Sequence, residues 1–168
     1  THEIGKTDLD DKGVYLWQGR DLTFIPQGID EFFPNFIFLY LSNTEIEVLF
    51  GDELNGYPDI EWFGLFKSPI QSIPGNFFEL NTKITDIGFS YNNITHVGAA
   101  LFDPIDIPNL AGINFSSNIC IDEYAYNNST AIALVIENIL SSCTGIEMTT
   151  TLSSSTTDRE VCWEGDLD

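Results

Sequence analysis

Apolar residues recur along this chain in a fixed phase. Leu39-Tyr40-Leu41, Phe63-Gly64-Leu65 and Ile87-Gly88-Phe89 are apolar-x-apolar triplets spaced 24 residues apart. Three residues ahead of each lies another apolar residue: Phe36, Ile60 or Ile84. Behind them, in the same step, follow Ile46, Ile70 and Ile94, then Leu49, Ile73 and Val97, and further on Leu54, Phe78 and Phe102. One step back from the first triplet gives Tyr15 and Trp17, followed by Leu22 and Ile25. One step forward, lengthened by two residues around Pro104 and Pro108, gives Leu110, Ile113 and Phe115. The alternation predicts a short strand in each unit with every second residue turned inward, then a turn and a looser segment carrying a second apolar layer. One unit cannot bury its own apolar face but stacked neighbours can, so the pattern predicts a solenoid. Strands of a β-sandwich with turns at similar spacing would not keep this phase.

The unit reads Ile84-x-x-Ile87-x-Phe89-x-x-Asn92-x-Ile94 and Leu110-x-x-Ile113-x-Phe115-x-x-Asn118-x-Cys120, and from about Asp11 to Cys143 it resembles the leucine-rich repeat. In detail the chain is similar to the small secreted leucine-rich-repeat proteins of flies, mosquitoes and midges. The marks are Thr1-His2-x-x-Gly5-Lys6, Phe24-Ile25-Pro26-Gln27-Gly28, Phe32-Phe33-Pro34-Asn35 and Asn118-Ile119-Cys120-Ile121-Asp122. The resemblance implies an α/β-type solenoid, a horseshoe with short parallel strands on its concave face, irregular convex segments and a C-terminal capping helix. The chain then divides into a cap remnant (1–11), repeats of about 24 residues (12–119), a disulfide-closed cap (120–147) and a Ser/Thr-rich acidic tail (148–168). The Asn of the repeat, which satisfies backbone groups inside the turn, is present at Asn92 and Asn118, whereas earlier units carry Arg20, Thr44 and Ser68. Ser and Thr can bond the backbone in the same manner but more weakly, and Arg cannot accept a hydrogen bond, so the first unit is expected to be the least regular.

Terminal units of a solenoid need caps. At the C-terminal end Ser129-Thr130 can cap a helix running from Ala131 to Leu140, with Ile132, Val135, Ile136 and Ile139 on one face. Cys143 follows that helix, and Cys120 stands where the last unit would have its core Leu. A Cys120–Cys143 bridge would staple the helix to the last strand, as the resemblance also implies; two buried free thiols are the alternative. At the other end the family usually has additional cysteines ahead of the region matching Thr1. Their absence, with a start that lacks Met, predicts a processed or truncated chain whose first strands a partner or a lost segment would cover. Cys162, beyond the run Thr149–Thr157, is the odd thiol; it suggests an intermolecular disulfide or a missing partner segment, with a bare unpaired thiol as the alternative.

Composition narrows the classes of function. The 168 residues carry 26 Asp and Glu against 6 Lys and Arg, a net charge of −20, with 43% apolar and 13% aromatic residues. So many apolar positions exclude a disordered acidic tail, and the charge argues against nucleic acid and anionic membranes, which need clustered Lys and Arg. The most apolar run, Ala131–Leu140, falls short of the ~20 residues of a membrane span. Sequons at Asn93, Asn114, Asn127 and Asn128, with the cysteine placement, point to an extracellular chain bearing N-linked glycans. His2 and His96 lie far from the cysteines, no calcium loop is present, and neither a nucleophile elbow nor a phosphate loop occurs, so no cofactor, metal site or enzyme activity is expected.

Alternation along the strands places Leu16, Phe38, Tyr40, Trp62 and Phe66 outward on the concave face as one aromatic stripe, followed by Asp86; the last two units, with Gly112, Asn114 and Ser116, are small and polar there. Clustered exposed aromatics mark an interface. The expected function is a secreted protein–protein interaction module working through that face, which the resemblance places in insect innate immunity, where related proteins bind partners as disulfide-linked assemblies. The alternative is a building block of an extracellular assembly that elongates through open solenoid ends and Cys162.

Overall fold

The structure, a computed structural model, describes residues 12–33 and 35–145. The expected cap remnant before Lys12, the Ser/Thr-rich tail and Cys162 lie outside the described residues. Six strands form one sheet in the order β1 (Gly13–Leu16), β2 (Phe38–Ser42), β3 (Trp62–Phe66), β5 (Asp86–Gly88), β7 (Gly112–Asn114) and β8 (Tyr124–Tyr126). The first five are parallel, and each return path crosses the opposite side of the molecule. There β4 (Ser72–Ile73) and β6 (His96–Val97) pair as a second, two-stranded parallel sheet. Helix α1 (Ser129–Cys143) closes the C-terminal end. This is the expected leucine-rich-repeat solenoid.

The core is the apolar ladder read from the sequence. Leu39, Leu41, Phe63, Leu65, Ile87, Phe89, Ile113 and Phe115 are buried beneath the large sheet, and Ile46, Ile70, Ile94, Ile73 and Val97 form the layer behind it. Phe77, Phe78 and Phe102 come in from the return segments. Phe63, Phe77, Phe78 and Phe89 then pack mutually, with ring centroids 5.0 to 6.4 Å apart in edge-to-face and tilted pairs.

Polar groups inside each turn are satisfied by a ladder that runs from unit to unit. Asn92 donates from Nδ2 to the carbonyls of Leu65 (2.8 Å) and Phe89 (2.9 Å), and its Oδ1 accepts from the Ser68 amide at 2.7 Å. Asn118 repeats the pattern, donating to Phe89 and Phe115 and accepting from Ile94. One unit earlier the rung is a bond between the hydroxyls of Ser68 and Thr44 at 2.7 Å. At the first unit the ladder ends: Arg20 is exposed, and Gly19 lies so close that a Cβ on it would stand 3.0 Å from Thr44 Cγ2. Asn43, Lys67, Tyr91 and Ser117 follow β2, β3, β5 and β7 with φ between 50° and 58°, so these four units turn through the same left-handed residue.

Two features of the strands depart from the sequence reading. The first unit is out of phase by one residue: Tyr15 pairs with Tyr40 and Leu16 with Leu41, an offset of 25, because the path from Leu16 to Leu22 is one residue longer than that from Leu41 to Ile46. The Glu45 amide donating to the Leu22 carbonyl restores the 24-residue phase beyond it. A one-residue shift reverses every side chain of a strand, so Val14 and Leu16 pack toward the core, whereas Tyr15 and Trp17 take the concave side. The second departure is β8, which pairs antiparallel with β7 and brings Ala125 under the helix opposite Ile113.

Helix α1 buries Ile132, Val135, Ile136 and Ile139, as its periodicity predicts. Its N-cap is Asn128, whose Oδ1 accepts from the Ala131 amide at 3.0 Å, and not Ser129 or Thr130, which are its first two residues. Cys120 and Cys143 are bridged, with Cα atoms 5.3 Å apart.

Replacing Asn92 by Ala strands the buried Ser68 amide and takes one bond each from the carbonyls of Leu65 and Phe89, so a loss of about 3 kcal/mol is expected, against about 1 kcal/mol for Thr44→Ala. Urea unfolding of the two variants checks this, and equal small losses would deny the ladder its role. The double variant Cys120→Ala/Cys143→Ala should lose about 3 kcal/mol by loop-closure entropy. Peptide mapping without reduction should find the two cysteines joined, and a free thiol at either position would contradict it.

Candidate functional site on the concave sheet face

Parallel registration arranges the outward side chains in rows that cross the strands. One row runs Phe38, Trp62, Asp86, Gly112, Tyr126; the next runs Tyr15, Tyr40, Gly64, Gly88, Asn114, Tyr124. Tyr15 stacks on Tyr40 with centroids 4.3 Å apart, and Tyr40 stacks on Phe66 at 4.2 Å. Phe38 stacks against Tyr15 at 5.2 Å and meets the edge of Trp62 at 5.7 Å. Trp62, on this face, remains 48% exposed, so the aromatic surface is open to solvent.

The glycines form the floor on which this stack ends. A Cβ at Gly64 would stand 2.2 Å from Phe66 Cε2, and one at Gly88 would stand 2.3 Å from Phe66 Cζ. Only a residue without Cβ lets the Phe66 ring rest across β3 and β5. Beyond the ring a cleft of about 300 Å³ opens, bounded by Tyr40, Trp62, Phe66, Asp86 and Tyr126.

Phe38, Tyr40, Trp62, Phe66 and Asp86 therefore share one surface. Leu16 does not join them. It lines the apolar end of the first unit with Val14 and Leu22, and Tyr15 occupies its expected place. The C-terminal units are less bare than expected, since Tyr124 and Tyr126 stand on this face from β8. No repeat position announces β8, because it is antiparallel and outside the 24-residue phase; its only signal is the alternation Tyr-Ala-Tyr before the helix cap. Of the sequon residues, Asn93, Asn127 and Asn128 are exposed. Asn114 is half-buried, its Oδ1 accepting from the Ser116 amide and hydroxyl at 3.0 and 2.7 Å.

Burial sets the electrostatics of two of the polar groups of the cleft. The Tyr40 hydroxyl is pushed well above the usual phenol range, first by desolvation and then by the Tyr15 hydroxyl beside it, so it stays protonated at any physiological pH. The Asp86 carboxyl is also raised by desolvation, an effect that the Thr85 hydroxyl, donating to Oδ2 at 3.0 Å, partly offsets. A carboxyl whose pKa rises on folding binds protons more tightly in the folded chain, so its charge weakens the fold as pH rises through that range.

The register, the ladder and the open aromatic face define this chain as a short leucine-rich-repeat solenoid with a capped C-terminal end. No protein-family model matches the sequence, and no curated protein matches it. Among solved structures, the chain is similar to the crystal structure of the leucine-rich repeat domain of APL1B, with a TM-score of 0.46 and 23% identity. The match covers 57% of this chain and 28% of that one, so this chain spans less than a third of its length. Among the described residues, no helix is long and apolar enough to cross a membrane, and no three His, Cys, Asp or Glu residues are grouped to hold a metal ion.

Asp86→Asn should raise the urea midpoint at pH 7 and leave it unchanged near pH 3, where both forms are neutral. The exposed control Glu79→Gln should move it less at pH 7. An unchanged or lowered midpoint for Asp86→Asn at pH 7 would contradict the strained burial of this carboxylate.

Proposed function

We propose that this chain is a secreted, non-enzymatic recognition module that docks a partner polypeptide on its concave face. The observation that carries the reading is the continuous stack Tyr15–Tyr40–Phe66 with Trp62 and Phe38 alongside, apolar rings on a face that the core does not need. Rigid aromatic side chains give large contact area for little ordering entropy and dominate interface energetics. The extracellular setting is supported by the Cys120–Cys143 bridge and by exposed Asn93, Asn127 and Asn128 as glycan acceptors away from the stack. A role in insect innate immunity, and assembly through an intermolecular bond at Cys162, draw on the sequence resemblance alone.

A second reading, the extracellular building block, has one observation in its favour: the first unit ends in an apolar concavity of about 630 Å³ lined by Val14, Leu16, Leu22, Ile29, Phe32 and Phe33. Helix α1 covers the other end, so head-to-tail elongation lacks a matching surface and a pair joined at the first units is the assembly this geometry favours.

The test compares capture of extracellular proteins by the full chain, by Trp62→Ala/Phe66→Ala and by the convex control Val48→Ala/Phe50→Ala. Partners should be lost from the first variant, with far-UV circular dichroism unchanged, and kept by the control. Retention by both variants would place binding elsewhere. Light scattering behind a sizing column separates the readings, because growth of the species with concentration would favour the building block.

A further inference from the structure

The aromatic stack stops one place short of a carboxylate. Tyr15, Tyr40 and Phe66 succeed one another from β1 to β3, and the Phe66 ring ends the series by lying over Gly64 and Gly88. Gly112 follows on β7 in the neighbouring row. Tyr40 covers one face of Phe66, and the ring borders the gap beyond it, which Asp86 and Tyr126 also line. Asp86 stands on the same strand as Gly88, two residues away and therefore on the same side of the sheet. The carboxylate and Tyr126 share the space above Gly112: a Cβ there would stand 2.4 Å from Asp86 Oδ1 and 2.8 Å from Tyr126 Cδ1. The gap is thus bounded by one ring, a carboxylate and a second ring.

Asp86 is half-buried, yet among the described residues it accepts the Thr85 hydroxyl alone, while Lys83 pairs with Asp59 and Lys67 lies over the Tyr91 ring. Among the described residues, no Lys or Arg lines the cleft. A carboxylate held among rings with so few donors is poorly satisfied by its own chain, and a net charge of −20 favours a cationic visitor. The guanidinium suits the gap better than an ammonium. It is planar and stacks on an aromatic face, it presents parallel N–H donors to both oxygens of a carboxylate, and it is more weakly hydrated.

We propose that this gap receives an arginine side chain of the docked polypeptide, its guanidinium stacked on Phe66 and hydrogen-bonded to Asp86. The proposal rests on the concave face being the docking surface, and it adds what that surface selects. Tyr126 and Trp62 flank the guanidinium, and the cleft of about 300 Å³ supplies the room. Asp86 is then retained against its burial because it recognises the partner.

The test is selection of random twelve-residue peptides on the full chain, followed by affinity measurements on the leading peptide. Selected peptides should share one arginine. Replacing it by citrulline, which has nearly the same shape without the charge, should weaken binding about 30-fold, as expected for a charge-assisted bidentate pair. Asp86→Asn should weaken the parent peptide by a similar factor and add little to the citrulline loss, which marks the two groups as partners. Its unfolding midpoint shows whether the fold is intact. Peptides without basic residues that bind Asp86→Asn and wild type alike, yet fail on Tyr40→Ala/Phe66→Ala, would overturn the arginine site and leave the docking face standing. Equal affinity on changing the arginine to lysine would overturn the guanidinium assignment. Peptides indifferent to Tyr40, Phe66 and Asp86, or no binder at all, would overturn both the arginine site and the face that carries it.

Discussion

A strand of three to five residues with one apolar face has nothing to pack on but the same strand of the next unit. That dependence fixes the register. Each unit must align its two inward residues with those of its neighbour, and the buried side-chain ladder Thr44–Ser68–Asn92–Asn118 holds the alignment by spending its bonds between units as well as within them. Because strand side chains alternate, one residue of slip would exchange Tyr40 for Leu41 and Phe66 for Leu65. The concave surface is therefore a consequence of the core: the aromatic rows exist because the leucine rows are locked.

Much of this was legible in the chain. The 24-residue phase predicted β2, β3, β5 and β7, the buried ladder and the apolar face of α1, since each rests on periodicity repeated in every unit. The failures occur where the pattern is used once. The added residue between Leu16 and Leu22 leaves both ends of the unit apolar, so Tyr15–Trp17 and Val14–Leu16 satisfy alternation equally well; only the register with β2 decides between them. β8 has no counterpart in other units, so Tyr126 went unseen. The outward glycines were legible as positions but not as a floor, because their meaning depends on which ring leans over them, and that is a matter of neighbouring strands.

The same contrast separates what holds the fold from what serves a partner. Core positions agree with one another at every level: apolar, buried and satisfied. The concave face contains the exceptions, namely exposed rings, three outward strand glycines and a carboxyl raised by burial. Glycine and a desolvated carboxylate both weaken a sheet, so their concentration beside the aromatic stack is what a recognition surface would require and a scaffold would not. The acidic exterior acts in the same direction, repelling other copies of the chain while drawing cationic segments toward the cleft.

Everything on this surface depends on the register, and a proton NOE spectrum of the full chain with labelled leucine methyls reads it directly. The stacked-row geometry predicts cross-peaks from Leu16 methyls to Leu41 methyls, from the Tyr15 ring to the Tyr40 ring, and from the Phe66 ring to the Gly88 α-protons, which that ring should also displace from their usual shift. Cross-peaks from Leu16 to Tyr40 and from Tyr15 to Leu39, with Gly88 free of Phe66, would contradict it.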